Sequence, residues 1–205
     1  MNSSQCPESE YPVHRLFPIV FLLFAAYAAP AADLAQESTQ HGDLDITVSL
    51  DAGEQSGSAR ASVRIHARRE LVWSLITSCA EELKLVPGLV GCEVLETAPD
   101  RSWQRLRHVM NYSWYAPRLT FEVRATYDQP ARVTLERISG DLARLRGSWE
   151  LQSDGDDTIA HYAVDLVPGF WVPRWIERGA LRRDLPKMLR ALRTRAELVQ
   201  KQKPG

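Results

Sequence analysis

The sequence predicts an α+β fold in which a curved antiparallel sheet of about six to seven strands wraps around one long C-terminal helix. Two observations carry that prediction. Apolar residues alternate with period two in one segment after another across residues 46–167, and the segments are broken by short turns, the mark of an antiparallel meander. Helical periodicity is confined to residues 71–85 and to the closing stretch from about 173 to 202. Strands grouped apart from helices indicate α+β architecture. A sheet with one apolar face needs a cover, and the terminal helix carries a matching stripe.

The strands begin with Ile46, Val48 and Leu50, and with Ala61, Val63 and Ile65, which flank a turn-rich stretch from Asp51 to Ser58 and form a hairpin. Leu71, Val72, Leu75 and Ile76 then recur at helical spacing. The helical pattern continues with a bend to Leu85 and stops at Pro87-Gly88. "VGCEVLE" is the next strand, and Ala98-Pro99-Asp100 turns the chain. "WQRLRHVMNYSWY" places Leu106, His108, Met110, Tyr112 and Trp114 on one face, and Ala116-Pro117 breaks it. "RLTFEVRATY" places Leu119, Phe121, Val123, Ala125 and Tyr127 together. "ARVTLERIS", "ARLRGSWELQ" and "TIAHYAVDLV" repeat the theme, with turns at Gly140-Asp141 and Asp154-Gly155-Asp156-Asp157. In the final helix Leu181, Leu185, Met188, Leu189, Leu192 and Ala196 share a stripe. Pro186 inside it predicts a kink or a true helix start.

The 205 residues suffice for one domain with a real core, and the net charge of −1 gives no argument for a nucleic-acid partner. His14-Arg15 precedes the apolar run "LFPIVFLLFAAYAA", and Ala29-Pro30-Ala31 fits a small-x-small cleavage pattern. Residues 1–32 therefore read as a secretory signal, although Glu8 and Glu10 weaken its positive leader. An uncleaved anchor is the alternative. The expected location is periplasmic or secreted. Residues 33–42 read as a polar linker, and 43–203 as the folded domain. Three cysteines are too few for a disulfide framework. Export would leave Cys79 and Cys92 where disulfides are permitted, and their spacing fits either a bridge or two buried thiols.

"ASVRIHARRELVWSLITSCAEELKLVPGLVGCEVLE" resembles the opening of START-like (SRPBCC) domains, specifically the polyketide cyclase/dehydrase and coenzyme Q-binding group. Val72-Trp73 and Pro87-Gly88 fill the group's characteristic places. "SGDLARLRGSWELQSDGDDTIAHYAVDLVPGFWVPRWI" is similar to its Gly-Asp, Gly-x-Trp and closing-strand segment. The likeness spans residues 43–200, and it departs from the usual Ala-Pro before the first helix with Ala67-Arg68-Arg69. It implies the helix-grip fold, with an apolar cavity between sheet and helix that takes lipids, quinones or polyketides.

With that cavity, the expected ligand-binding residues are Leu106, His108, Met110, Tyr112, Trp114 and Phe121 from the sheet, and Leu185 and Leu189 from the helix. Phe170, Trp171 and Trp175 stand where the last strand hands over to the helix. They would either gate the cavity or staple the helix to the sheet. His108 and Tyr112 are the polar groups available to hold a headgroup, or to act as acid or base in an enzyme. Metal binding is not expected, because His41, His66, His108 and His161 show no ligand spacing. No nucleophile motif or phosphate loop is present, and Asn111-Tyr112-Ser113 reads as a chance sequon inside a strand. From Arg174 onward ten Lys or Arg face three acids, a basic excess that suits either anionic lipid headgroups or a solvated outer face. The expected function is an exported carrier of a hydrophobic small molecule, with no cofactor. The alternative is a polyketide cyclase, aromatase or dehydratase using polar groups in the cavity.

Overall fold

The computed structural model describes residues 35–41, 44–50, 57–112, 117–172 and 174–202, with side chains described in 57–112, 117–172 and 182–202. The expected secretory segment lies outside the described residues.

The alternation in "GSARASVRI" shows how the sheet is built. Ala59, Ala61, Val63 and Ile65 are buried, while Arg60 between them is exposed. A strand with one apolar side must lay that side on a core. Among the described residues nine strands join in a single antiparallel sheet. In chain order they are β1 (Ala35–His41), β2 (Leu44–Leu50), β3 (Gly57–Ile65), β4 (Leu89–Thr97), β5 (Trp103–Met110), β6 (Leu119–Asp128), β7 (Arg132–Gly140), β8 (Leu142–Asp154) and β9 (Asp157–Pro168). Their order across the sheet is β1-β2-β3-β9-β8-β7-β6-β5-β4. The helices are α1 (Arg69–Ile76), α2 (Cys79–Leu85) and α3 (Arg174–Gln202).

The expected sheet carries two further strands, β1 and β2 at its β3 edge, and residues 35–41, inside the expected polar linker, form one of them, because Ala35–His41 pairs with β2 along its whole length. The strand "AQESTQH" has no apolar alternation to betray it. An edge strand is held by backbone hydrogen bonds on one side, so it can be polar throughout, and a polar edge also discourages pairing with other chains. The expected hairpin is present: β2 and β3 pair from Leu44↔Val63 to Leu50↔Gly57.

The topology forces a long crossing. β3 lies beside β9, but β4 is the opposite edge of the sheet. The two short helices α1 and α2 carry the chain between those places. Val72, Trp73, Leu75 and Ile76 form the buried side of α1. The expected bend falls at Thr77-Ser78, where the Thr77 hydroxyl and amide both donate to the Trp73 carbonyl. A disulfide between Cys79 and Cys92 ties the first residue of α2 to β4, with 5.3 Å between the Cα atoms. Of the two possibilities that the spacing left open, the bridge is the one found.

α3 lies in the concave side of the sheet. Leu185, Met188, Leu189, Leu192 and Ala196 are buried on it, with Leu189, Leu192 and Ala196 fully so. The helix runs through Pro186 without ending, so that residue is neither a start nor a stop. Proline offers no amide to the carbonyl four residues back. The burial of its neighbours holds the helix across that gap. Arg195 on α3 reaches α2, where Glu81 accepts two hydrogen bonds from its guanidinium at 2.9 and 3.0 Å. Lys84 adds a third contact to the same carboxylate at 2.9 Å. At the other end of the sheet the buried Thr158 hydroxyl donates to the Ala67 carbonyl at 2.6 Å, which fixes the entry to α1.

Two outcomes are expected. Leu192→Ala removes a fully buried side chain from the grip and should cost about 2–5 kcal/mol, read as a lowered urea midpoint. Arg195 and then Lys84 hold the Glu81 carboxyl down to about 2, from an ordinary value of 4.5. A depressed folded-state pKa gives stability that is complete above pH 4.5 and is lost as the pH falls through about 2. Between those limits wild type should lose stability with falling pH more steeply than Glu81→Gln, as measured by urea titrations at stepped pH.

Candidate functional site

A single helix cannot fill the concave side of so wide a sheet. The unfilled part is a cavity of about 560 Å3, bounded by α2, by the strands from β4 to β9 and by α3. That volume lies inside the range of about 300–1,000 Å3 usual for small-molecule sites. Its walls are mostly aliphatic and aromatic. Met110, Phe121, Leu135, Trp149 and Val164 come from the sheet, and Leu185, Met188 and Leu192 from α3.

A polar pole on the α2 and β5 side interrupts this lining. His108 is 8 % exposed, and its Nε2 lies 3.0 Å from Oε2 of Glu82. The Phe121 ring meets the imidazole edge-on, with 5.5 Å between centroids. β5 supplies His108 and α2 supplies Glu82, so the pair forms only because the α1-α2 crossing ends over β4 and β5. Two phenols complete the pole's surroundings. Tyr162 stacks at a tilt on Trp149, with centroids 4.6 Å apart. Burial first, then the proximity of Tyr112 and Glu82, pushes the Tyr162 phenol far above its ordinary pKa. It therefore stays protonated and can donate a hydrogen bond inside the cavity. Tyr112 lies over Gly88, whose φ of +81° and carbonyl bond from the Asn111 amide (2.7 Å) turn the chain away from the strand. A Cβ at position 88 would stand 3.1 Å from the Tyr112 ring. β5 ends at Met110, and residues 113–116 of the expected longer strand lie outside the described residues.

The mouth is marked by lining residues that also face solvent. Trp171 is 75 % exposed and Phe170 36 %. Gly169 places them there. Its amide donates to the Asp141 carbonyl at 2.8 Å, and a Cβ would come within 2.4 Å of that same oxygen. Asp141 in turn donates its amide to Thr120 and accepts the Thr120 amide on its carboxylate. Arg183 and Asp184, paired through two hydrogen bonds at 2.8 and 3.0 Å, form a polar part of the lining from α3. A side chain as exposed as Trp171 cannot staple a helix by burial, so for that residue the stapling role is excluded.

Of the residues expected from the sequence, His108, Met110, Tyr112, Phe121, Phe170, Trp171 and Leu185 line this cavity. Leu106 and Leu189 do not: both are packed into the solid core. Each belongs to the right face, but the face extends beyond the cavity. On β5 the lining begins at His108, and on α3 it follows 185, 188 and 192, while 189 and 196 form the adjoining packed stripe. Trp114 lies outside the described residues, as does the side chain of Trp175. Glu82 and Tyr162 were not anticipated. The available sign was the helical spacing of Glu82 and Leu85, which puts the carboxylate on the same face as an apolar residue.

Residues 65–193 match the sequence profile of the family described as polyketide cyclase/dehydrase and lipid transport. The chain belongs to that family. Solved structures agree on the fold. A STAR-related lipid transfer protein from Xanthomonas axonopodis superposes with a TM-score of 0.67 at 18% identity, over 78% of this chain and 98% of that one. The Zhui aromatase/cyclase from Streptomyces sp. R1128 gives 0.59 at 16% identity, over 73% and 97%. Human StAR-related lipid transfer protein 5 gives 0.65 at 9% identity, over 84% and 90%. No curated protein matches the sequence. The START-like helix-grip fold expected from the sequence is therefore the fold of this family member, with two strands added at the β3 edge.

Trp171→Ala tests the mouth. It should leave the urea midpoint within about 0.5 kcal/mol of wild type, as surface substitutions do. It should also speed release of an apolar fluorophore such as anilinonaphthalene sulfonate from the cavity, followed by stopped-flow.

Proposed function

We propose that this family member is an exported binder or carrier of a hydrophobic small molecule that bears one polar group. The observation that supports the reading is a mostly apolar cavity whose wall carries the part-buried Glu82–His108 pair. An apolar body gains about 25 cal/mol per Å2 on entering such walls. A lone hydroxyl or carbonyl would be stranded there without a partner. Glu82 accepts from a hydroxyl, while Tyr162 or His108 donates to a carbonyl. A lipid, quinone or polyketide-like molecule fits this description. The apolar run at residues 16–29 and the disulfide agree with export. The exposed Trp171 at the mouth suits loading from a membrane surface.

A second reading rests on the same pair. A carboxylate and an imidazole 3.0 Å apart in a water-poor cavity form an acid–base couple of the kind a cyclase or dehydratase needs. The two readings part in their consequences. Native mass spectrometry of the exported protein should show a co-purified apolar molecule carrying a hydroxyl or carbonyl. Glu82→Gln and His108→Ala should each weaken its retention by about tenfold or more, the worth of one hydrogen bond to a charged group. Turnover of a polyketide-like substrate that disappears in both variants would favour the enzyme instead. Protein that carries nothing, and takes up nothing from a panel of lipids, quinones and polyketides, would sink both.

A further inference from the structure

The bridge between α2 and β4 has an unusual neighbour. Both sulfurs and a carboxylate oxygen of Glu82 lie within 4.8 Å of one another. Oε2 of Glu82 stands 3.4 Å from the Cys92 sulfur and 3.0 Å from His108 Nε2. His108 is itself the direct cross-strand partner of Cys92 in the β4–β5 ladder. In the disulfide form neither sulfur carries a proton, so the approach of the carboxylate to Cys92 is not a hydrogen bond. The bridge gives no account of why an acidic group sits against it.

We propose that Cys79, Cys92 and Glu82 form a zinc site when the disulfide is reduced. The donor set is two thiolates and a carboxylate, types that zinc accepts. The spacing fits as well. Zinc–sulfur and zinc–oxygen bonds of about 2.3 and 2.0 Å at tetrahedral angles put ligand sulfur and oxygen about 3.5 Å apart. The observed separation of 3.4 Å already matches that edge. The two sulfurs must part to about 3.8 Å, the corresponding sulfur–sulfur edge, which side-chain rotation supplies once the bond between them is cut.

The chemistry balances with a dithiol as reductant. It gives two electrons and two protons, the S–S bond breaks to two thiols, and the reductant closes to its own disulfide. Zinc then displaces the two thiol protons. All three ligands are half-buried, so reductant and ion can reach them. His108 is a positioning residue that holds the Glu82 carboxylate, as partners of metal ligands do. Three protein ligands leave the fourth coordination position free, the arrangement of sites at which zinc meets a further molecule. Glu82 and His108 both line the cavity, so the proposed site borders its wall.

The test uses the full chain carrying Cys6→Ser, so that Cys79 and Cys92 are the only thiols. After reduction with dithiothreitol and its anaerobic removal, zinc is titrated against a chromophoric chelator. Cobalt(II) reports ligand type and geometry in parallel. The reduced protein should take up one zinc per chain and the oxidised protein none. Its cobalt form should show thiolate-to-metal charge transfer and intense tetrahedral bands. Cys92→Ser should abolish uptake. Glu82→Gln should weaken it at least tenfold, and His108→Ala by about 10- to 100-fold, as loss of a supporting partner does. Circular dichroism follows the fold throughout, and a reduced chain that unfolds and is refolded by one zinc also supports the site. Absence of stoichiometric zinc from the reduced protein, or wild-type affinity in both Glu82→Gln and His108→Ala, overturns it. Neither result bears on the oxidised protein's uptake of apolar ligands, which is measured without reductant.

Discussion

One geometric mismatch governs this molecule. A nine-stranded antiparallel sheet curves around a single helix that is too narrow to fill its hollow. The helix settles along one part of the concave face, where Leu189, Leu192 and Ala196 pack without residual exposure. The rest of the hollow has mostly apolar walls that α3 does not fill, and so becomes a cavity closed by α2 and the flank of α3. Stability and function are thus drawn from one apolar surface. The share of it that touches α3 and α1 holds the fold together, and the remaining share faces the space that a ligand would occupy.

The crossing from β3 to β4 decides the chemistry of that space. Because β4 is the far edge of the sheet, α1 and α2 must span its open side, and α2 is delivered over β5. Three contacts keep it there: the Cys79–Cys92 bridge, the Glu81–Arg195 ion pair to α3, and the Glu82–His108 hydrogen bond. Two adjacent glutamates thus do different things. Glu81 meets two cations, Arg195 of α3 and Lys84, which hold it ionised. Glu82 turns inward to an imidazole and a disulfide, where it forms the only acidic part of the α2 wall.

The mouth follows from backbone constraints. Gly169 passes so close to the Asp141 carbonyl that no other residue fits without displacement. Past it the chain has nowhere to bury Trp171, which stands at the rim. The handover from the last strand to the helix is therefore the lip of a pocket, which is an ordinary place for an exposed aromatic.

The sequence by itself determined the fold class, the order of most elements and the apolar faces of β3, β5 and β6, because period-two and period-3.6 patterns report directly which side of an element meets a core. It determined Pro87-Gly88 as the stop of the first helical segment, and the stripe on α3. It was silent on β1, since a polar edge strand is held by backbone groups that leave no mark in side-chain alternation. It could not separate Leu106 and Leu189 from the cavity lining, because packed core and cavity wall use the same apolar residues. The tertiary structure alone paired Cys79 with Cys92 and brought Glu82 to His108, 26 positions apart in the chain. Contacts of that kind depend on where a crossing helix comes to rest over a sheet, a distance in space that spacing along the chain does not encode.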